Sequence, residues 1–99
     1  MQKFRIGRRL RLKCRFTVSD TLTDPTAITF RMVTSAGTTN YTYGSDAELV
    51  KEGTGIYYVD WTVATASAHS WWMKGTGTVV AVEVSSDAGL SFEGEALPF

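Results

Sequence analysis

The sequence predicts an all-β fold of short antiparallel strands, packed as a sandwich or closed as a barrel. Residues Arg9–Val18 alternate strictly between polar and apolar side chains, which is the two-residue repeat of a β-strand with one buried face. No segment of helical length shows an apolar repeat of 3.6 residues, and the fourteen threonines favour pleated strands over helices. Short segments of this kind, separated by turn residues, are typical of a sandwich or a barrel.

The length of the chain predicts a single domain that spans residues 1–99. Its twelve aromatic residues suit one shared core, because each can bury about 150–250 Å². Cys14 is the only cysteine, which excludes an intrachain disulfide, and its place on an apolar strand face predicts a buried, unreactive thiol. The N-terminal segment Met1–Ile6 lacks the apolar stretch of a signal peptide, so we expect the protein to be made and used inside a cell.

Turn residues separate the predicted strands of the N-terminal half. Gly7 ends the first strand, and Pro25 marks Asp20–Thr26 as a loop because its ring forces the preceding residue out of helical backbone angles. Ser35–Gly37 is predicted to be a hairpin turn. These signals give strands at Lys3–Ile6, Arg9–Val18, Ala27–Thr34 and Thr38–Tyr43.

The C-terminal half begins with the acidic, unpatterned segment Gly44–Glu52, which predicts a loop or one helical turn. An aromatic strand follows at Ile56–Val63, and a connection of small residues spans Ala64–Ser70. Glycines then predict a hairpin around Gly75-Thr76-Gly77 that joins a strand at Trp71–Lys74 to one at Thr78–Val84. Within it, the run Val79-Val80-Ala81-Val82 is apolar on both faces, as in a central strand covered on both sides.

The alternating strands define a predicted core drawn from both halves of the chain. Its members are the apolar residues that share one face of each strand. They are Leu10, Leu12, Cys14, Phe16, Ile28, Phe30, Val59 and Trp61.

The charged residues are distributed unevenly, although the net charge is zero. Residues 1–15 contain seven of the ten basic residues and no acidic one, so the remainder holds three basic and ten acidic residues. A molecule polarised in this way is suited to an anionic partner or to head-to-tail contacts between copies. The candidate interface is the polar face of the second strand, formed by Arg9, Arg11, Lys13 and Arg15. The alternative is a solvated face that discourages edge-to-edge aggregation.

The pair Trp71-Trp72 gives a second candidate contact, because neighbouring residues of a strand face opposite sides. One indole is predicted to enter the core and the other to lie outside, where it either anchors an interface or caps a sandwich edge. We assign Trp72 to the interface.

The C-terminal segment Ser91–Phe99 is predicted to be a weak last strand or an extending tail. As a tail, its carboxylates would meet the basic strand of a neighbouring copy, and Leu97 and Phe99 would anchor in an apolar pocket there. As a strand, it would complete its own sandwich with Phe92 in the core.

Candidate catalytic and metal-binding residues are few. His69 is the only histidine and no nucleophile motif is present, so we expect neither an enzyme nor a cofactor. Asp46, Glu48 and Glu52 lack the regular spacing of a calcium loop, which predicts a solvated acidic loop and no metal site.

Three segments together carry a family resemblance: Leu22–Phe30, Tyr43–Tyr58 and Trp72–Gly77. In this order they resemble small immunoglobulin-like β-sandwich proteins encoded among the structural genes of tailed bacteriophages, over roughly residues 5–84. The resemblance implies an immunoglobulin-like antiparallel β-sandwich in a virion assembled in the host cytoplasm. It also implies binding to other capsid, neck or tail proteins and no enzymatic activity. We therefore expect many copies in one particle and no small-molecule substrate, and we expect no membrane because no stretch approaches the roughly 18 apolar residues of a membrane span. The sequence lacks the cysteine pair and the core tryptophan of antibody domains, and Ser85–Phe99 extends beyond the matched region.

The alternative function is a nucleic-acid-binding β-barrel that places the basic strand on phosphates. The aromatic residues near that strand, Phe4 and Phe16, lie on or near its apolar side, where they cannot stack on bases. This position makes a nucleic-acid partner the less favoured interpretation.

Overall fold

A computed structural model describes residues 2–76, 81–84 and 91–95. Within these ranges no helix is long and apolar enough to cross a membrane. The strands are β1 (Gln2–Arg5), β2 (Arg9–Val18), β3 (Thr21–Leu22), β4 (Ala27–Thr34), β5 (Gly37–Thr42), β6 (Leu49–Gly53), β7 (Ile56–Thr62), β8 (Ala68–Thr76), β9 (Ala81–Val84) and β10 (Ser91–Glu95).

The strands form two sheets that pack face to face, which confirms the predicted sandwich. The first sheet has the order β1-β10-β8-β4-β5, and the second has the order β3-β2-β7-β6 with β9 also paired to β2. Among the strands of the described ranges, every pair is antiparallel except β1 with β10, so the prediction of wholly antiparallel sheets is wrong for the first sheet. Alternation within a segment identifies a strand, but it does not give the direction of a partner that is distant in sequence.

The core lies between the sheets and contains the predicted residues. Seven of the eight predicted side chains are buried, and the eighth, Trp61, packs against them while partly exposed. Phe30 lies among aromatic rings from both sheets, 5.7 Å from Trp71, 5.8 Å from Tyr41 and 6.4 Å from Trp61 between ring centroids. Within the described residues, the other buried apolar side chains are Met32, Leu49, Tyr57, Val63, Trp71, Met73 and Phe92.

The apolar face of β2 points into this core from Leu10 to Phe16. Its register with β7 places Leu12 beside Val59 and Cys14 beside Tyr57. Burial raises the pKa of the Cys14 thiol to about 12, so the thiol stays protonated at neutral pH. Because the reactive form of cysteine is the thiolate, this confirms the structural interpretation of Cys14.

The predicted hairpin around Gly75 is wrong. Strand β8 continues through Gly75 to Thr76, and β9 pairs with β2 of the opposite sheet. Gly75 faces inward, where an added Cβ would lie 2.9 Å or less from atoms of Pro25 and Phe16. The glycine therefore allows close packing between elements, whereas the sequence interpretation assigned it to a turn. Val79 and Val80 lie outside the described residues.

The acidic segment predicted as a loop or helical turn contains strand β6, which begins at the buried Leu49. This strand is short, has β7 as its one neighbour in the part of the chain that the structure describes, and has a register irregularity between Lys51 and Gly53, which obscures the alternating pattern. The turn after it requires Gly55, whose φ is +73° and whose Cβ would lie 2.7 Å from the carbonyl oxygen of Phe16.

Residues Ser91–Glu95 form β10, which confirms the prediction of a last strand for this part of the C-terminal segment. Phe92 is fully buried, with its ring centroid 5.6 Å from that of Phe4 and 4.8 Å from that of His69. Leu97 and Phe99, the proposed anchors of a linking tail, lie outside the described residues.

We predict that Phe30→Ala lowers the free energy of unfolding by about 3–5 kcal/mol, because it removes a ring that touches both sheets. Urea denaturation followed by tryptophan fluorescence measures this loss. Val33→Ala is the matched control, since Val33 is on the same strand and faces outward at 36% exposure. The control should change stability by about 0.5 kcal/mol or less. Equal losses in the two variants would contradict the assignment of Phe30 to the centre of the core.

Candidate interaction surfaces

The polar side chains of β2, the basic strand of the sequence analysis, lie on the outer face of the second sheet. There the cationic groups pair with carboxylates. Asp60 of β7 is directly opposite Arg11 in the register. Arg11 donates from Nε to Asp60 Oδ1 at 2.9 Å and from Nη2 to Oδ2 at 3.2 Å, and Arg9 Nη2 donates to the same Oδ2 at 3.1 Å. Bidentate geometry of this kind is the strongest arrangement available to an arginine and a carboxylate.

Two further contacts engage the cations of this face. The Arg11 guanidinium lies 3.9 Å from the ring centroid of Tyr58, and Lys13 Nζ lies 2.9 Å from Glu52 Oε2. The hydrogen bond from Arg11 holds the pKa of Asp60 below its usual value, so Asp60 stays ionised near neutral pH. Arg9, Arg11 and Lys13 therefore present less positive charge to a partner than the sequence suggests, and Arg15 is partly buried.

The outer face of the first sheet carries a second surface, centred on Trp72. Trp71 is buried at 1% exposure and Trp72 is 42% exposed, which confirms that the two indoles face opposite sides. Arg31 lies opposite Trp72 in the β4–β8 register, with its guanidinium 5.4 Å from the indole centroid. Arg31 Nε also donates a hydrogen bond to Asn40 Oδ1 at 2.7 Å, which fixes the side chain across three strands.

We call the face formed by Thr29, Arg31, Trp72 and Lys74 the Trp72 surface; it encloses a shallow depression of about 290 Å³. Strands β4, β5 and β8, which form this face, contain two cationic residues and no Asp or Glu. An arginine stacked on an exposed tryptophan is a pairing typical of binding hot spots. Arg31 and Lys74 were not predicted as interface residues from the sequence, although their outward positions follow from the alternation of β4 and β8.

Asp24, which the sequence pattern does not mark as a contact residue, joins the loop before β4 to β6, β7 and the turn between them. Its Oδ1 accepts hydrogen bonds from Gly55 N at 2.8 Å and Tyr57 Oη at 3.0 Å, and its Oδ2 pairs with Lys51 Nζ at 2.8 Å. The hydrogen bond from Lys51, with those from Gly55 and Tyr57, lowers the pKa of Asp24 to about 2. This arrangement fixes the β6–β7 turn.

Two of the three acidic residues considered for a calcium loop, Asp46 and Glu52, form contacts with other groups of the protein. Asp46 Oδ2 accepts a hydrogen bond from Thr42 N at 2.8 Å, and Glu52 pairs with Lys13. Across residues 2–76, 81–84 and 91–95, no three His, Cys, Asp or Glu side chains are grouped as they would be around a metal ion.

We predict that Asp24→Asn lowers the thermal midpoint at pH 7 and that this deficit shrinks in acid. The folded-state pKa of Asp24 is about 2, below its ordinary value of 3.8. The stabilisation is therefore complete well above pH 3.8 and is lost as the pH falls through 2. Calorimetric scans of both proteins from pH 7 to pH 2 measure the difference. Asp20→Asn, in the exposed β2–β3 turn, is the control, and a deficit that does not change with pH would contradict the role of Asp24.

We predict that Arg11→Glu lowers the thermal midpoint, because it sets a second carboxylate against Asp60. The double variant Arg11→Glu/Asp60→Arg should recover part of the loss by restoring an ion pair in reverse. The loss in the single variant and the recovery in the double variant should both be smaller in 1 M NaCl, because salt screens an ion pair near the surface. Lys74→Glu, on the other sheet, is a control expected to have little effect. Failure of the double variant to recover any stability would show that the pair makes no contribution.

Comparisons of this chain with known protein families, with curated proteins and with solved structures give no significant match.

Proposed function

We propose that the protein is a structural component of a tailed-bacteriophage virion, present in many copies, that binds other virion proteins through the Trp72 surface. It has no enzymatic role in this proposal. The virion context comes from the resemblance of the three sequence segments. The observation that carries the binding surface is the exposed Trp72 stacked on Arg31, on strands β4 and β8, which contain no Asp or Glu; the nearest carboxylates in the sheet belong to the next strand, β10.

The strand order supports an immunoglobulin-like sandwich as part of this proposal. In immunoglobulin sandwiches one sheet holds strands G, F and C, extended by C′, and the other holds B, E and D. The order β10-β8-β4-β5 corresponds to G-F-C-C′, and the order β2-β7-β6 corresponds to B-E-D. On this assignment β3 and β9 are additions beside strand B, and the Trp72 surface lies on strands F and C.

The chemistry of the Trp72 surface favours an acidic protein partner. Arg31 and Lys74 supply positive charge, and the indole supplies apolar area at the centre of the face. A partner with carboxylates around an apolar side chain would complement both features. The basic strand offers less to such a partner, because Asp60 and Glu52 already neutralise much of its charge. The same ion pairs weigh against the nucleic-acid alternative.

We predict that Trp72→Ala strongly reduces the amount of the protein in purified phage particles. Quantitative mass spectrometry of the particles, normalised to the major capsid protein, measures the change. A central hot-spot residue contributes about 2 kcal/mol or more, so the affinity should fall about 30-fold. Tyr43→Ala is the matched control, because Tyr43 is equally exposed at 43% on a different surface. Thermal melts verify that both variants fold.

Each outcome of this experiment has a distinct meaning. If the unmodified protein is missing from purified particles, the virion proposal is wrong. If Trp72→Ala is incorporated like the control, the protein is a virion component but the Trp72 surface is not its interface. Binding of the unmodified protein to single-stranded DNA, with a salt slope near −0.7 per phosphate contact, would support the nucleic-acid alternative instead.

A further inference from the structure

A cavity lies at one end of the sandwich, beside the β4–β5 turn, and its residues are separate from the Trp72 surface. Its volume is about 210 Å³. The cavity is lined by Thr34, Ala36, Gly37, Thr38, Thr39, Trp61, Ala64, Thr65 and His69. We call it the threonine cavity. Side chains of both sheets contribute to it, because Trp61 belongs to β7 whereas His69 belongs to β8.

Two polar groups in the wall of this cavity have unused hydrogen-bonding capacity. The indole Nε1 of Trp61 is buried and has no hydrogen-bond partner in the described part of the chain. His69 is 1% exposed, and its Nδ1 lies 2.9 Å from the carbonyl oxygen of Ser67. A carbonyl can only accept, so Nδ1 carries the proton and, in the neutral ring, Nε2 is left as an acceptor. Buried polar groups without partners are rare in folded proteins, and they commonly indicate a bound molecule or ordered water.

Threonine residues in the wall add hydroxyl groups, some of which already have a hydrogen-bond partner in the protein. Thr34 and Thr65 bond within the protein, to Ala36 N at 3.1 Å and to Ser67 Oγ at 3.0 Å. Thr39, which is paired with the buried Met32 and so faces inward, has no such bond among the described residues, and its hydroxyl is available to donate and to accept. The lining contains no Asp, Glu, Lys or Arg. The wall is therefore suited to an uncharged molecule that both donates and accepts hydrogen bonds.

We propose that the threonine cavity binds a small, uncharged, polyhydroxylated ligand such as a single sugar ring or a short polyol. Hydroxyl groups can accept from the Trp61 indole and can donate to His69 Nε2, so a molecule that carries several hydroxyls suits the two unused groups. The flat indole gives an apolar surface for the carbon face of a ring. The volume is below the roughly 300–1,000 Å³ of sites for drug-sized ligands, which limits the occupant to about one ring. This site is independent of the virion proposal.

The test follows the indole N–H signals by ¹⁵N–¹H NMR while D-glucose, D-galactose, N-acetyl-D-glucosamine or glycerol is added. Trp61→Phe identifies the Trp61 signal. We expect at least one probe to shift that signal saturably, with the Trp72 signal unchanged. Thr39→Val should weaken the binding by about three- to tenfold, the value of one lost hydrogen bond, whereas Thr39→Ser should retain it. Thr62→Val, on the outer face of β7, is the control and should bind like the unmodified protein.

The methyl glycoside of the sugar that binds then distinguishes a free monosaccharide from the terminal residue of a glycan, since only the second tolerates a blocked anomeric hydroxyl. The proposal is overturned if no probe produces a saturable shift, because the cavity then holds water alone. It is also overturned if a folded Thr39→Val variant binds as tightly as Thr62→Val. Thermal melts of the variants separate loss of binding from loss of folding.

Discussion

Strand β2 is the element on which the rest of the sandwich depends. It pairs with β7 along one edge and with β9 along part of its length, and it also pairs with β3 near its end. Its inner face contributes Leu10, Leu12, Cys14 and Phe16 to the core, all of them buried. Because a shift of one residue would exchange its apolar and charged faces, the register of β2 is strongly specified. The strands that pair with it are specified in turn, and Val59 and Tyr57 are placed opposite its buried side chains.

The register of β2 also determines the electrostatics of the outer face of the second sheet, and the pairing of β4, β5 and β8 determines that of the first. On the second sheet it sets Arg11 against Asp60, and Lys13 lies close enough to Glu52 to pair, so much of the positive charge there is balanced within the domain. On the first sheet, strands β4, β5 and β8 bring Arg31 and Lys74 together around Trp72 with no carboxylate among them. The two faces of one small domain therefore differ in what they offer a partner. On the outer face of the second sheet, much of the charge is paired within the domain, whereas the Trp72 surface of the first sheet combines positive charge with an exposed indole.

Contacts that cross between elements hold both faces in place. Asp24 ties the loop before β4 to the β6–β7 turn and to Tyr57, and Gly75 lets Pro25 pack closely against the core. At the first crossing between sheets, Gly7 N donates to Val63 O at 2.8 Å and Val63 N donates to Arg8 O at 2.9 Å. A surface carried by strands fixed in this way is pre-organised, which lowers the entropic cost of binding. The threonine cavity, which lies between the two sheets, benefits from the same rigidity.

The sequence by itself determined the all-β class, most of the strands, the core face of each alternating strand and the opposite orientations of Trp71 and Trp72. These features depend on the two-residue repeat of a strand, which is a local property. The partners of the strands depended on the tertiary structure: β9 pairs with β2 rather than β8, β10 runs parallel to β1, and β6 forms where the pattern is irregular. The pairing of charges also depended on the tertiary structure. Asp60 is 49 residues from Arg11 in the chain, and the two side chains are brought together by the pairing of β2 with β7. A local pattern cannot show such a meeting, since charge pairs and cavities arise from packing between segments that are distant in sequence.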